Sequence, residues 1–352
     1  MKKSLILGTI IFCNYWVGFA ANDTTATNTI RPAFDSITTV FQKIQGYQKL
    51  EITLDFDSLT LGKRSDKEHP AQLIFKGETA ETFTINSTVR PRGRFRRSRC
   101  ELPPIRLNFE KTELTSLNLF AKYDKLKLVT HCNQSDINGS ALLKEYWMYK
   151  MYNEVSDSSF RVHLLEITYI DAADATNRME SYAIIIENTK EMAHRLNGEI
   201  VEQKRGHTST ALLPDAYHNF MLFNFMIGNN DWKLTTQKNL KLVKHANSDL
   251  YSIVPYDFDF AFMVKLSESI AGFDLIDFAK THQVIKDNFR DKSSLEKTIA
   301  KFNALKKTGL ACYKTCSELK KADKIKMNGY LKYFFSLTKK KSALYKTFLV
   351  ES

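Results

Sequence analysis

Apolar and polar positions alternate along residues 47–131, in the runs "KLEITLDF", "AQLIFK", "TFTINSTVRPRGRF", "PIRLNF", "LNLF" and "KLKLVTH". A period of two predicts strands, and the Gly, Pro and Asp residues between the runs predict turns. At 140–155 the spacing changes: "SALLKEYWMYKMYNEV" carries apolar residues three and four apart, which predicts a helix. Strands return in "FRVHLLEITYID" and "SYAIIIE", with "DAADATNR" between them as the turn of a hairpin. Beyond residue 187 helices dominate. One amphipathic helix is predicted over about 212–227, two short strands follow in "KNLKLV" and "YSIVPYDFDF", and 277–350 reads as largely helical. Strands first and helices later predict an α+β protein, with a strand-rich N-terminal part over 47–190 and a helical C-terminal part over 191–352.

The pattern before residue 47 is different. "MKKSLILGTIIFCNYWVGFA" has a basic start, an apolar run and a small-x-small ending, so residues 1–20 are expected to be a secretory signal peptide. The polar stretch that follows predicts a flexible leader over 21–46. No later segment approaches the roughly 20 apolar residues needed to span a bilayer, so no transmembrane segment is expected in the mature chain. An exported product follows: periplasmic, cell-surface or secreted.

With 43% hydrophobic residues the chain can bury a large core. The formal charge is +12, and Lys2 and Lys3 belong to the leader peptide. Segment 301–352 has thirteen Lys against three acids, so the remaining excess is confined to the last helices. That tail reads as a solvated helical face or as a surface for an anionic polymer, and no nucleic-acid partner is expected. Four cysteines follow the leader peptide, and an even number in an exported chain favours disulfides. Cys100–Cys132 is the preferred pair. Cys312 and Cys316, one helical turn apart, could bridge locally, and a zinc site built on His131, Cys132 and these two is the disfavoured alternative.

The chemistry concentrates around "IGNNDWKLTTQKNLKLV" and "VPYDFDFAF". Asp231 follows a helix stop, Asn239 begins a strand, and the next strand runs into Asp257 and Asp259. A hairpin with its loop at 244–250 would bring Asn239 beside the two aspartates. Alternation along a strand would put both aspartates on one face, opposite Phe258 and Phe260. One Asn with two or three carboxylates suits Mg²⁺, which takes hard oxygens and shares them with phosphate. The structural alternative is a capped helix and a decorated strand end. A second cluster is basic: Arg90, Arg92, Arg94 and Arg96 alternate in "VRPRGRFRR", with Arg106, Lys125 and Lys127 on neighbouring strands. Arginine forks suit phosphate. Trp147, Trp232 and His218 read as packing residues.

The segments "RPRGRFRR…PPIRLNF", "KLKLVTHC", "ALLKEYWMYKMYN", "YAIIIEN" and "MIGNNDW…KNLKL…IVPYDFDFAF" together resemble the spore coat protein H type of secretory kinase-like proteins (CotH-like), over roughly residues 85–263. The resemblance implies an atypical protein-kinase fold and phosphorylation of Ser or Thr hydroxyls on secreted proteins with ATP and Mg²⁺. It assigns Asp231 to the catalytic loop, and Asn239 and Asp257 to the metal, with Asp259 as an alternate ligand. Arg92 and Arg106 would face the nucleotide phosphates, with Lys127 as the strand lysine and Glu187 as its acidic partner. Departures are visible: Arg-Gly-Arg stands where the family has Arg-Gly-Asn, and eight residues separate Asp231 from Asn239. The rival expectation is a catalytically silent member that binds a partner or an anionic cell-envelope polymer.

Overall fold

The computed structural model describes residues 37–133, 139–201, 208–266, 274–281, 289 and 291–349. The expected leader peptide lies outside the described residues. Of the leader predicted up to residue 46, its last part folds: α1 (Val40–Lys43) buries Val40 and Phe41, and Ile44 follows them inward.

Seven strands form the first layer of architecture: β1 (Lys49–Leu54), β2 (His69–Lys76), β3 (Thr82–Pro91), β4 (Ile105–Asn108), β5 (Lys125–Thr130), β6 (Val162–Asp171) and β7 (Arg178–Ile186). They close into a barrel in the order β1-β2-β3-β4-β5-β7-β6. Neighbours are antiparallel except at one seam, where β1 runs parallel to β6 with Lys49 opposite Glu166 and Leu54 opposite Asp171. The predicted atypical protein-kinase fold is corrected here. Backbone pairing across the β1–β6 seam leaves the sheet no free edge, and a closed barrel is not one lobe of a bilobal kinase.

Alternation explains the filling of the barrel. Leu50, Ile52, Leu73, Phe75, Ile85, Leu107, Leu128, Ile167 and Ile185 occupy every second position and share one core. The unbroken run Ala183–Ile186 departs from alternation because β7 is covered on both sides: Ala183 and Ile185 face the barrel, and Ile184 and Ile186 face a second core. The connections carry α2 (Phe56–Thr60), α3 (Arg94–Arg99) and α4 (Lys111–Ser116). The predicted strand "LNLF" is instead the turn after α4, where the Leu119 N–H donates to the Leu114 carbonyl. Leu119 docks back on the barrel core, while Leu117 stays exposed.

The helix predicted over 140–155 is α5 (Ser140–Val155), packed on the outer face of β5, β6 and β7. After α6 (Thr189–Arg195) comes a three-stranded antiparallel sheet in the order β10-β9-β8, made of β8 (Gly198–Ile200), β9 (Leu240–His245) and β10 (Tyr251–Pro255). Between β8 and β9 runs α7 (Pro214–Ile227), whose residues from Ala216 onward are all buried, His218, Asn219 and Asn224 included, so the predicted amphipathic helix has no solvent face beyond its first turn. The remaining helices are α8 (Phe262–Lys265), α9 (Leu275–Thr281), α10 (Lys292–Leu305), α11 (Lys321–Leu337) and α12 (Lys341–Phe348). His218 packs within this core, stacked on Phe289 at 4.5 Å.

Cys100 and Cys132 are disulfide-bonded, with Cα atoms 4.6 Å apart. Cys312 and Cys316 are both free thiols, and with Cys132 already oxidised the zinc alternative lacks a ligand. No helix among the described residues is long and apolar enough to cross a membrane.

Candidate functional site

The site begins where α7 stops. Gly228 ends the helix with φ of 64°, and a Cβ there would fall 2.8 Å from the Phe262 Cβ and 2.9 Å from the Tyr330 hydroxyl. Handedness and crowding both require glycine. Asn229, buried, donates through Nδ2 to Asn224 Oδ1 at 2.8 Å and accepts the Asp231 N–H on its own Oδ1 at 3.1 Å. That buried amide chain fixes where Asp231 leaves the helix end.

The hairpin then closes the distance. Leu240 pairs with Pro255, and the Tyr256 N–H donates to the Asn239 carbonyl at 3.1 Å, so Asn239 lies at the end of the hairpin from which Asp257 emerges. Asn239 Nδ2 donates to the Asp231 backbone carbonyl at 2.7 Å and to Asp231 Oδ2 at 2.8 Å. This orientation leaves Asn239 Oδ1 for another partner. Lys238 forms an ion pair with Asp231 Oδ1. One expectation needs correcting: β10 ends at Pro255, so Asp257 and Asp259 do not share a strand face. Asn239 and Asp257 both sit in the left-handed region, at φ of 53° and 66°. Asn and Asp tolerate that region better than most residues, at a cost of about 1 kcal/mol each. The Asp257 N–H is held by the Tyr149 hydroxyl at 2.8 Å, and the ring of Phe258 packs on that of Tyr149. Asp257 is thereby fastened to α5.

Cations come from the barrel. Arg90, Arg106 and Lys127 are in register across β3, β4 and β5, on the outer wall because their neighbours Val89, Leu107 and Leu128 fill the interior. Arg90 is occupied by Asp66 at 3.0 Å. Lys127 donates to Thr189 Oγ1 at 3.2 Å, between the rings of Phe160 and Tyr256. Burial first, and then Arg92, Lys241 and Arg106, hold its ammonium well below the usual lysine range, with Asp257 opposing them. Burial and the neighbouring Arg90 and Arg92 likewise lower Arg106. A cavity of about 280 Å³ lies against Arg106, Lys127 and Thr189. A larger one, of about 630 Å³, lies among Glu154, Asp157, Asp215 and Lys301, and includes none of the predicted site residues.

The predicted ladder of alternating arginines is also corrected. β3 ends at Pro91, Gly93 takes φ of 81°, and residues 94–99 coil into α3. The turn sends Arg96 inward, where Nη2 donates to the Thr130 carbonyl at 2.6 Å, while Arg97 pairs with Asp66. Phe95 of α3 meets Phe260 edge-on at 5.4 Å.

One participant was missed by sequence reasoning. Glu145 of α5 is only 2% exposed, and burial raises its carboxyl well above the usual range. Asp259 and Asp257 reinforce that shift, and Arg96 and Arg92 oppose it. Within "LLKEYWMYK" it resembles any helix-surface glutamate; the only available signal was its place on an otherwise apolar face. Glu187, expected to partner Lys127, does not: its buried carboxylate accepts from Arg195 on both oxygens at 2.9 Å and from the Arg161 N–H. Asp259 is pushed up to about 6, by burial first and then by Asp257, with Arg96 opposing.

Two sets of charges therefore face each other. Among the described residues, Arg92, Arg96, Arg106, Lys127 and Lys241 make no ion pair with Glu145, Asp257 or Asp259, although Arg96 and Arg92 oppose the raised carboxyl of Glu145, Arg96 that of Asp259, and Asp257 the lowered ammonium of Lys127. Asp259 Oδ1 is buried without a hydrogen-bond partner. No group of three or more His, Cys, Asp or Glu side chains spaced for a metal occurs among the described residues. The available oxygens are two carboxylates and one amide, a hard set that fits Mg²⁺ when phosphate and water complete its sphere.

No protein-family model matches the sequence, and no curated protein matches it. Among solved structures the chain is similar to the Helicobacter pylori proinflammatory kinase CtkA, at 11% identity and a TM-score of 0.38, over 68% of this chain and 94% of that one. At that score the two backbones superpose too little to transfer a residue role or an activity.

Proposed function

We propose that this protein binds a magnesium-nucleoside triphosphate, ATP in the first instance, and transfers its terminal phosphoryl group to a protein Ser or Thr hydroxyl outside the cytoplasm. The observation that carries the reading is the pair of facing, unjoined charge sets, with Asp259 Oδ1 orphaned between them. Buried opposite charges left apart are costly unless a ligand bridges them, and a metal polyphosphate carries both signs in the order required. Asn239 Oδ1, Asp257 and Asp259 would hold the cation; Arg92, Arg106 and Lys127 would receive the phosphate oxygens. Mg²⁺, when bound, neutralises charge on the transferred phosphoryl group. Asp231, fixed by Asn229 and Asn239 and paired with Lys238, accepts the hydrogen bond of an incoming hydroxyl. The residue order in "NNDW…KNLKL…PYDFDF", which resembles the spore coat protein H type, supports the same assignment. The Cys100–Cys132 disulfide supports a compartment outside the reducing cytosol.

The test is thermal denaturation with and without Mg²⁺ and ATP. A rise in Tm that needs both, and that Asp257→Ala abolishes, is expected. Absence of any shift with any nucleotide sinks the reading. Mass spectrometry of the protein after incubation with Mg-ATP, wild type against Asp231→Ala, then separates transfer from binding alone.

A further inference from the structure

We infer that Arg96 is a positioning residue of this site, and that the Cys100–Cys132 disulfide holds it there, so that ligand binding depends on the oxidised cross-link; the inference rests on the metal-nucleotide reading above. The connection from β3 to β4 leaves the barrel at Pro91 and returns at Ile105, and it carries α3. Arg96 follows Phe95, whose ring meets that of Phe260, the neighbour of Asp259, at 5.4 Å. Its guanidinium is tied to the Thr130 carbonyl, at the end of β5. Cys100, fully buried, terminates α3, and its disulfide joins that terminus to Cys132, just beyond the same strand end. The Glu101 N–H donates to the Cys132 carbonyl at 3.0 Å alongside it.

The remaining anchors of α3 are few. Phe95 is 56% exposed and touches the acidic loop through the edge of Phe260 alone. Arg97 and Lys63 tie the far side of α3 to the 63–66 loop, where Lys63 Nζ donates to the Cys100 carbonyl at 3.2 Å. A six-residue helix has little intrinsic stability, so a covalent tie at its end decides where its side chains point. With the disulfide closed, α3 stays against the acidic loop, and Arg96, held at the Thr130 carbonyl, presents its remaining N–H groups to phosphate. With it open, α3 is held by non-covalent ties, those of Arg97 to Lys63, Ser65 and Asp66 among them.

Opening needs two electrons. A trialkylphosphine in water reduces the bond to two thiols, taking up one oxygen from water as the phosphine oxide and leaving both water protons on sulfur. Reformation needs a disulfide-bearing oxidant, which accepts the same two electrons and two protons.

The experiment measures Mg-ATP affinity of the full chain by titration calorimetry, oxidised and phosphine-reduced, for wild type, Arg96→Met, Arg96→Lys and Arg97→Met. Expected are a loss of about tenfold for Arg96→Met, partial recovery in Arg96→Lys and no change in Arg97→Met. Reduction should weaken wild type about tenfold and leave Arg96→Met unaffected, because the tie then has nothing to position. Far-UV circular dichroism of each variant, and of the Cys100→Ser, Cys132→Ser double variant, checks that the barrel is folded. Wild-type binding that ignores both reduction and Arg96→Met overturns this inference and leaves the functional reading standing. Absence of wild-type binding in the oxidised state overturns both.

Discussion

The barrel and the β9–β10 hairpin solve opposite problems with the same kinds of residue. On the barrel wall, charges project from regular strands, and Arg90, Lys76 and Lys49 find partners at Asp66, Glu51 and Glu166. At the hairpin end, charges project from turns whose backbones are left-handed at Gln237, Asn239 and Asp257, and the acids remain apart from the facing cations. A region that must only stay folded satisfies its charges locally. A region that holds them in strained turns and leaves them unjoined is organised for something that arrives later.

The contrast is sharpest in the core beneath each region. Phe75 fills the barrel and Phe258 fills the gap between Tyr149 and Phe223 under the acidic loop, both fully buried. Replacing either with Ala should cost about 3–5 kcal/mol by denaturant titration. Only Phe258→Ala should also abolish the Mg-ATP thermal shift, because it undermines Asp257 and Asp259. Equal loss of the shift in Phe75→Ala would erase the distinction between the two regions.

A smaller effect separates a structural buried acid from a site acid. Glu191 lies beneath α1, far in chemistry from Glu145: one oxygen accepts from Thr39 Oγ1 at 2.5 Å, and the other has no partner. Burial raises its carboxyl from 4.5 to about 7, with the Thr39 hydrogen bond opposing. The unfolded chain thus releases this proton first, so Glu191 destabilises the fold as pH rises through that window. Glu191→Gln should be more stable than wild type by about 2–3 kcal/mol at pH 8, with the difference vanishing at pH 4. A difference independent of pH would contradict the assignment, and Mg-ATP binding should be unaltered throughout.

The smallest effect probes the strained turns. Gln237 has φ of 50° and a buried Nε2 without a partner. Gln237→Gly should raise stability by about 1 kcal/mol, since glycine adopts that conformation freely. A loss of stability would show that the side chain, rather than the turn, is what the position needs.

How much of this was readable in advance follows the range of each interaction. The juxtaposition of Asn239 with Asp257 was legible, since a short loop between two strands determines which ends meet. Closure of the barrel was not, because the β1–β6 seam joins segments far apart in the chain and no local pattern encodes a parallel partner. The arginine ladder failed at Gly93: alternation in "RPRGRFRR" is equally good for a strand or for a kinked exit into a helix. Glu187 was assigned to Lys127 and Glu145 was passed over because sequence gives residue type but not which face of a wall is already covered. Arg195 neutralises the first, while the second is left facing Asp259.

The parallel seam also has a consequence for the order of assembly. The pairs β2–β3 and β6–β7 are hairpins joined by five and six residues, and β1–β2 spans fourteen that include α2. The bonds from Lys49–Leu54 to Glu166–Asp171 must wait until α5 and β6 have been synthesised. Contacts of such long range form slowly, because the entropy of closing the intervening chain is lost before any contact repays it. Until then β1 and β6 are unpaired edges. The interval before the seam closes is therefore when the chain is most exposed to proteases and to self-association.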